Sequence, residues 1–90
     1  MNRYHIIVKG RVQDVGFRFF SQSTAAMYDL TGYVKNMDNG TVEIEVQGDE
    51  NKILKFLSNI KKGTLFIKVD DILIDKIDLV HDENSFKIKY

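Results

Sequence analysis

Tyr33-Val34-Lys35-Asn36-Met37-Asp38-Asn39-Gly40-Thr41-Val42-Glu43-Ile44-Glu45-Val46-Gln47 reads as two strands around a tight turn. Asn39-Gly40 is the dipeptide suited to a type I′ hairpin, in which both central residues take positive φ. The second arm alternates, with Val42, Ile44 and Val46 on one side and Thr41, Glu43, Glu45 and Gln47 on the other. One face of the resulting sheet meets water, and the other needs cover.

The flanking segments supply that cover. Upstream, Phe17, Phe20, Thr24, Met27 and Leu30 recur at three- and four-residue steps, one face of a helix, with Gly32 beyond it as a stop signal. Downstream, Asp49 and Glu50 favour a helix start, Ile53, Leu57 and Ile60 form an apolar stripe that Leu54 and Phe56 widen, and Lys61-Lys62-Gly63 end it. A strand precedes the first helix: Tyr4, Ile6 and Val8 alternate with His5 and Ile7, and the apolar Ile7 suggests a central position. Ile72, Ile74, Ile77 and Leu79 indicate another strand, broken at Lys76-Ile77 by an expected bulge. Phe86, Ile88 and Tyr90 alternate with lysines in a short last one. The order β-α-β-β-α-β, with one extra terminal strand, predicts an α+β ferredoxin-like split βαβ sandwich, an antiparallel sheet with two helices on one face.

Ninety residues, 43% of them apolar, suit one domain, 1–90, that buries somewhat over ~60% of its unfolded surface. Thirteen basic and thirteen acidic residues cancel, so an anion site must be local, and a polyanion such as nucleic acid is not an expected partner. The lack of cysteine removes disulfides, thiol nucleophiles and thiolate metal sites. No apolar run approaches the ~20 residues that span a bilayer, and strand-like alternation begins where a signal peptide would lie. A soluble cytoplasmic monomer with no membrane partner is expected.

Gly10-Arg11-Val12-Gln13-Asp14-Val15-Gly16-Phe17-Arg18 joins the first strand to the first helix. Helix starts leave N–H groups unpaired, the dipole adds roughly half a positive charge, and successive amides form anion nests. Gly16 removes a side chain that would hold a phosphate off the backbone. Arg18 adds a planar, permanent cation whose fork matches two phosphate oxygens, unless it serves only a surface ion pair. The segment lacks the Gly-Lys-Ser/Thr ending of a P-loop and the Gly-x-Gly-x-x-Gly dinucleotide fingerprint.

Gly10-Arg11-Val12-Gln13-x-Val15-Gly16-Phe17-Arg18, with Gly32-Tyr33-Val34-Lys35-Asn36 and Gly40-Thr41-Val42-Glu43, resembles the two signatures of the acylphosphatase family. Gln47-Gly48 and Phe86-x-Ile88-x-Tyr90 are similar to its pattern too. The resemblance implies metal-free, cofactor-free hydrolysis of the carboxyl–phosphate anhydride of a small acyl phosphate, with inorganic phosphate as product ligand. It implies a phosphate loop of Gln13, Asp14, Val15, Gly16 and Phe17, phosphate binding by Arg18, and orientation of the attacking water by Asn36. The chain departs from the family at Asp14, where glycine is usual, and at Gly63-Thr64, where Gly-Pro is frequent. A carboxylate inside the loop either points to solvent or weakens phosphate binding, so the alternative is a catalytically weakened phosphate-binding or regulatory domain of the same fold.

The remaining polar residues have plainer readings. His5 is a strand-surface histidine, Asp70, Asp71 and Asp75 a solvated turn, and Lys61-Lys62 a helix end. Arg11 either supports the loop or touches phosphate, and Phe19 shapes the entrance. RNA-recognition domains share the element order, but the exposed Thr41, Glu43, Glu45 and Gln47 would repel a polyanion.

Overall fold

A computed structural model describes all residues 1–90. In chain order the elements are β1 (Asn2–Arg11), α1 (Phe17–Met27), β2 (Thr31–Asn36), β3 (Val42–Gly48), α2 (Glu50–Lys62), β4 (Lys68–Ile77) and β5 (Phe86–Lys89). The sheet order is β4-β1-β3-β2-β5, with both helices on one face. The first four strands pair antiparallel, as expected, whereas β5 joins the β2 edge in parallel, so the complete sheet is mixed. The apolar alternation produces the core directly. Ile6, Val8, Val34, Val42, Ile44 and Val46 point from the sheet toward Phe17 and Ala25 of α1 and Ile53, Phe56 and Ile60 of α2, all of them buried.

Several local expectations change under tertiary packing. In α1 the buried face is Phe17, Ser21, Thr24 and Ala25, and Met27 is exposed. The two buried hydroxyls on that face, those of Ser21 and Thr24, donate to the carbonyls four residues back. The helix stops before Gly32. Asp29 takes φ 55, and the N–H groups of Leu30 and Asp29 donate to the carbonyls of Ala25 and Ala26 in a Schellman arrangement. Gly32 is instead required inside β2, where an added Cβ would stand 1.8 Å from the Glu45 carbonyl oxygen. In α2, Leu54 is exposed while Phe56 is fully buried.

The hairpin also differs from expectation. Asn39 does not take positive φ, which a type I′ turn demands. The Gly40 N–H donates to the Met37 carbonyl and the Met37 N–H to that of Thr41, closing a three-residue loop with Gly40 at φ 90. The β4 bulge is not at Lys76-Ile77, where pairing to β1 is regular, but where Lys9 opposes Asp71 and Gly10 opposes Val69. Asp70 is the extra residue, so Asp70, Asp71 and Asp75 sit on an edge strand rather than in a turn, and Leu79 lies beyond the strand.

The face opposite the helices is not simply wet. The 80–83 segment folds onto it, and the Arg3 guanidinium, only 2% exposed, donates to Glu45 at 2.9 Å, to Gln47 at 3.1 Å and to both Glu83 oxygens at 2.7 and 3.2 Å. Tyr33 donates between Glu43 and Glu45, and burial followed by these two carboxylates pushes its phenol well above the ordinary range. His5 pairs with Glu43 at 2.9 Å on the same face, consistent with a structural role.

Candidate active site

Where β1 ends, Val12 is buried at 1% exposure and pins the start of the connecting loop. Asp14 at φ 62 and Gly16 at φ 79 are both left-handed, the alternation of backbone conformations in which successive amides can form an anion nest. The N–H groups of Gln13, Asp14, Val15 and Gly16 donate to no protein acceptor. Those of Phe17, Arg18 and Phe19 belong to the first helical turn, whose ladder begins with the Phe20 N–H on the Gly16 carbonyl at 2.9 Å.

The two helices of this chain treat their starts oppositely. At α2, Asp49 accepts from the amides of Asn51 and Lys52, and Glu50 adds a negative charge. At α1 the cap residue is Gly16, no side chain caps the turn, and no acidic residue lies in it. The positive end of α1 therefore stays uncompensated from within, although Asp14 lies just before it.

Strand parity brings the other groups to this place. Val34 and Asn36 share the helix-facing side of β2, Ile88 pairs with Val34, and Tyr90 continues the parity of Ile88. Asn36, Ile88 and Tyr90 thus meet the start of α1 at one end of the sheet. With Val12, Asp14, Gly16, Phe17, Arg18 and Phe19 they line a cleft of about 180 Å³. The Arg18 guanidinium carbon lies 4.6 Å from the Tyr90 ring centroid, and Nη1 donates to the Lys89 carbonyl at 3.4 Å. The ring covers one guanidinium face and leaves the fork for an anion. Asn36 Oδ1 is buried and has no hydrogen-bond partner in the protein.

Not every expected loop residue faces the cleft. Gln13 turns its amide away, and Nε2 donates to the carbonyls of Met37 at 2.7 Å and Thr41 at 2.9 Å, fastening the loop to the hairpin beside Asn36. Val15 packs against the core, and the buried Phe17 side chain belongs to that core as well. Sequence reasoning assigned no site role to Val12, Ile88 or Tyr90. Parity along Phe86-x-Ile88-x-Tyr90 was the available signal, but it locates the cleft only once β5 is known to lie beside β2. A larger groove of about 550 Å³ runs past Gln22, Asp29 and Asn84, but its lining holds no lysine or arginine, so size does not mark the anion site.

The acylphosphatase family model matches residues 4–88. The chain belongs to the acylphosphatase family. It is 54% identical to the acylphosphatase of Clostridium acetobutylicum over 90 residues, covering all of this chain and 99% of the relative. Identity to that of Clostridium beijerinckii is 56% over 90 residues, covering both chains completely. The crystal structure of acylphosphatase from Bacillus subtilis superposes with a TM-score of 0.94 at 44% identity, over the full length of each chain. Family and fold agree with the signatures on the 10–18 loop and the 32–43 hairpin, and the two signatures converge on one cleft.

Proposed function

We propose that this acylphosphatase binds the phosphate of a small acyl phosphate in the 13–17 loop, with Arg18 as its cation and Asn36 as the group that orients the attacking water. The single observation that carries these roles is the uncapped start of α1, ringed by amides without partners and facing Arg18 and Asn36 across one cleft. The loop amides and guanidinium hold charge that spreads over the phosphoryl oxygens in the transition state. Asn36 Oδ1, desolvated and unpartnered, accepts from a water O–H and presents the water oxygen toward phosphorus. A bond forms from that oxygen to phosphorus as the bond to the carboxylate oxygen breaks. The water's proton passes to a phosphate oxygen, because the Asn36 amide does not titrate. The products are carboxylate and inorganic phosphate. A carboxylate leaves readily, so positioning and charge carry most of the catalysis. Residues 1–90 act as one domain, and the reading takes the enzyme as a cytoplasmic monomer.

The test is benzoyl phosphate hydrolysis in the presence of EDTA. Arg18→Ala should raise KM and the phosphate inhibition constant by roughly 100-fold, the loss of a charge-assisted pair. Asn36→Ala should lower kcat by roughly 100-fold while phosphate still competes. Retained kcat in Asn36→Ala, or an enzyme base titrating near pH 7 in kcat, refutes the assignment. A wild type that binds phosphate without turnover identifies the weakened binding domain instead.

A further inference from the structure

The cleft is small for the substrate it serves. At about 180 Å³ it falls below the ~300 Å³ at which ligand pockets begin to enclose most of a ligand. A phosphate seated in the 13–17 loop would take up most of such a volume and leave its acyl group toward the open side. Two rings stand there. Phe19, third residue of α1, lines the cleft yet is 69% exposed, and Tyr90 lines it at 91% exposed. Single exposed apolar residues are ordinary on a protein surface. Two largely exposed rings lining the same cleft as Arg18, one of them stacked on its guanidinium, form an apolar rim to the anion site.

We infer that Phe19 is a specificity-determining residue, and that this rim selects acyl phosphates whose acyl group is aromatic or bulky and apolar over those with a short acyl chain. The inference rests on the acyl phosphate reading and names the substrate class within it. Tyr90 already stacks on Arg18, so its outer face is a continuation of the cation's own support. Phe19 has no such duty: its neighbours Phe17 and Phe20 carry the core contacts of this turn. Contact with an aryl group over ~60 Å² of apolar surface corresponds to about a ten-fold gain in kcat/KM. An acetyl group, one methyl beyond the carbonyl, covers little of that surface.

The test compares kcat/KM for benzoyl phosphate and acetyl phosphate in the wild type, Phe19→Ala and Phe19→Tyr. The two anhydrides differ in intrinsic reactivity, so the readout is the change in their ratio from wild type to variant. Phe19→Ala should lower the benzoyl-to-acetyl ratio about ten-fold, and Phe19→Tyr should restore most of it. The phosphate inhibition constant, measured for each variant, reports whether the anion end of the cleft is intact. An unchanged ratio, or an equal fall for both substrates, overturns the inference and leaves Phe19 a structural residue. A wild type that hydrolyses neither substrate refutes the function itself, and the specificity falls with it.

Discussion

Asp14→Gly tests how the loop tolerates a carboxylate beside its anion. Asp14 is exposed, lines the cleft and sits at φ 62. A phosphate dianion ~6 Å from its charge in a water-like dielectric is opposed by about 1.4 kcal/mol, a factor of about ten in affinity. Screening over a Debye length of about 8 Å at physiological salt reduces this to roughly three-fold. The backbone contributes separately. Glycine relieves left-handed strain that Asp already tolerates, but it loosens the unfolded chain by about 0.4–1 kcal/mol, so net stability should move by less than about 1 kcal/mol. The assay is competitive inhibition of benzoyl phosphate hydrolysis by inorganic phosphate at low and high salt. The inhibition constant should fall about ten-fold at low salt, with the gain shrinking as salt rises. Asp14→Asn removes the charge while keeping a residue suited to positive φ, and should reproduce the effect. A rise in the inhibition constant, or a gain in Asp14→Gly that Asp14→Asn lacks, refutes the electrostatic reasoning and makes backbone conformation the controlling term.

Gln13→Ala removes the two bonds that fasten the phosphate loop to the carbonyls of Met37 and Thr41. It should cost about 1–3 kcal/mol in urea unfolding and lower kcat more than it raises KM, because Asn36 loses its register to the loop. Glu83 answers to pH. Burial alone would raise its carboxyl, but the hydrogen bonds and charge of Arg3 outweigh that and hold it below the usual range. A depressed folded value means its stabilisation is complete above the unfolded value, about 4.3, and is lost as pH falls through the folded one. Glu43, whose burial penalty is outweighed by bonds from His5 and Tyr33, acts in the same direction. Melting temperature should therefore drop on acidification below about pH 4.5, and Glu83→Gln should flatten that limb after losing about 1–2 kcal/mol at neutral pH.

Alternation in Val42, Ile44 and Val46, the spacing of Ile53, Leu57 and Ile60, and the glycine-bearing 10–18 loop are local patterns. Each placed its element correctly, because hydrophobic period is set by backbone geometry within a few residues. The same reasoning failed where a neighbour decides. Met27 fits the α1 stripe by spacing, yet Ala25 and Ser21 are buried instead, because the side of the helix that meets the sheet is set by how the whole helix packs and not by spacing alone. Gly32 carries the composition of a helix stop, but its lack of a side chain answers to the Glu45 carbonyl on β3.

The sequence by itself determined the family and the two-helix α+β architecture, and it singled out Arg18 and Asn36 as the proposed pair, because those residues lie in contiguous motifs whose chemistry is legible one element at a time. The tertiary structure alone decided what surrounds them. Parallel pairing of β5 with β2 brings Ile88 and Tyr90 to the cleft across 70 residues of chain from Arg18, and nothing local in either segment encodes that meeting. The fastening of Gln13 to the hairpin and the burial of Arg3 under the 80–83 segment arise in the same way. Side-chain periodicity specifies which face of a strand is apolar, whereas the choice of neighbour depends on packing the whole sheet at once.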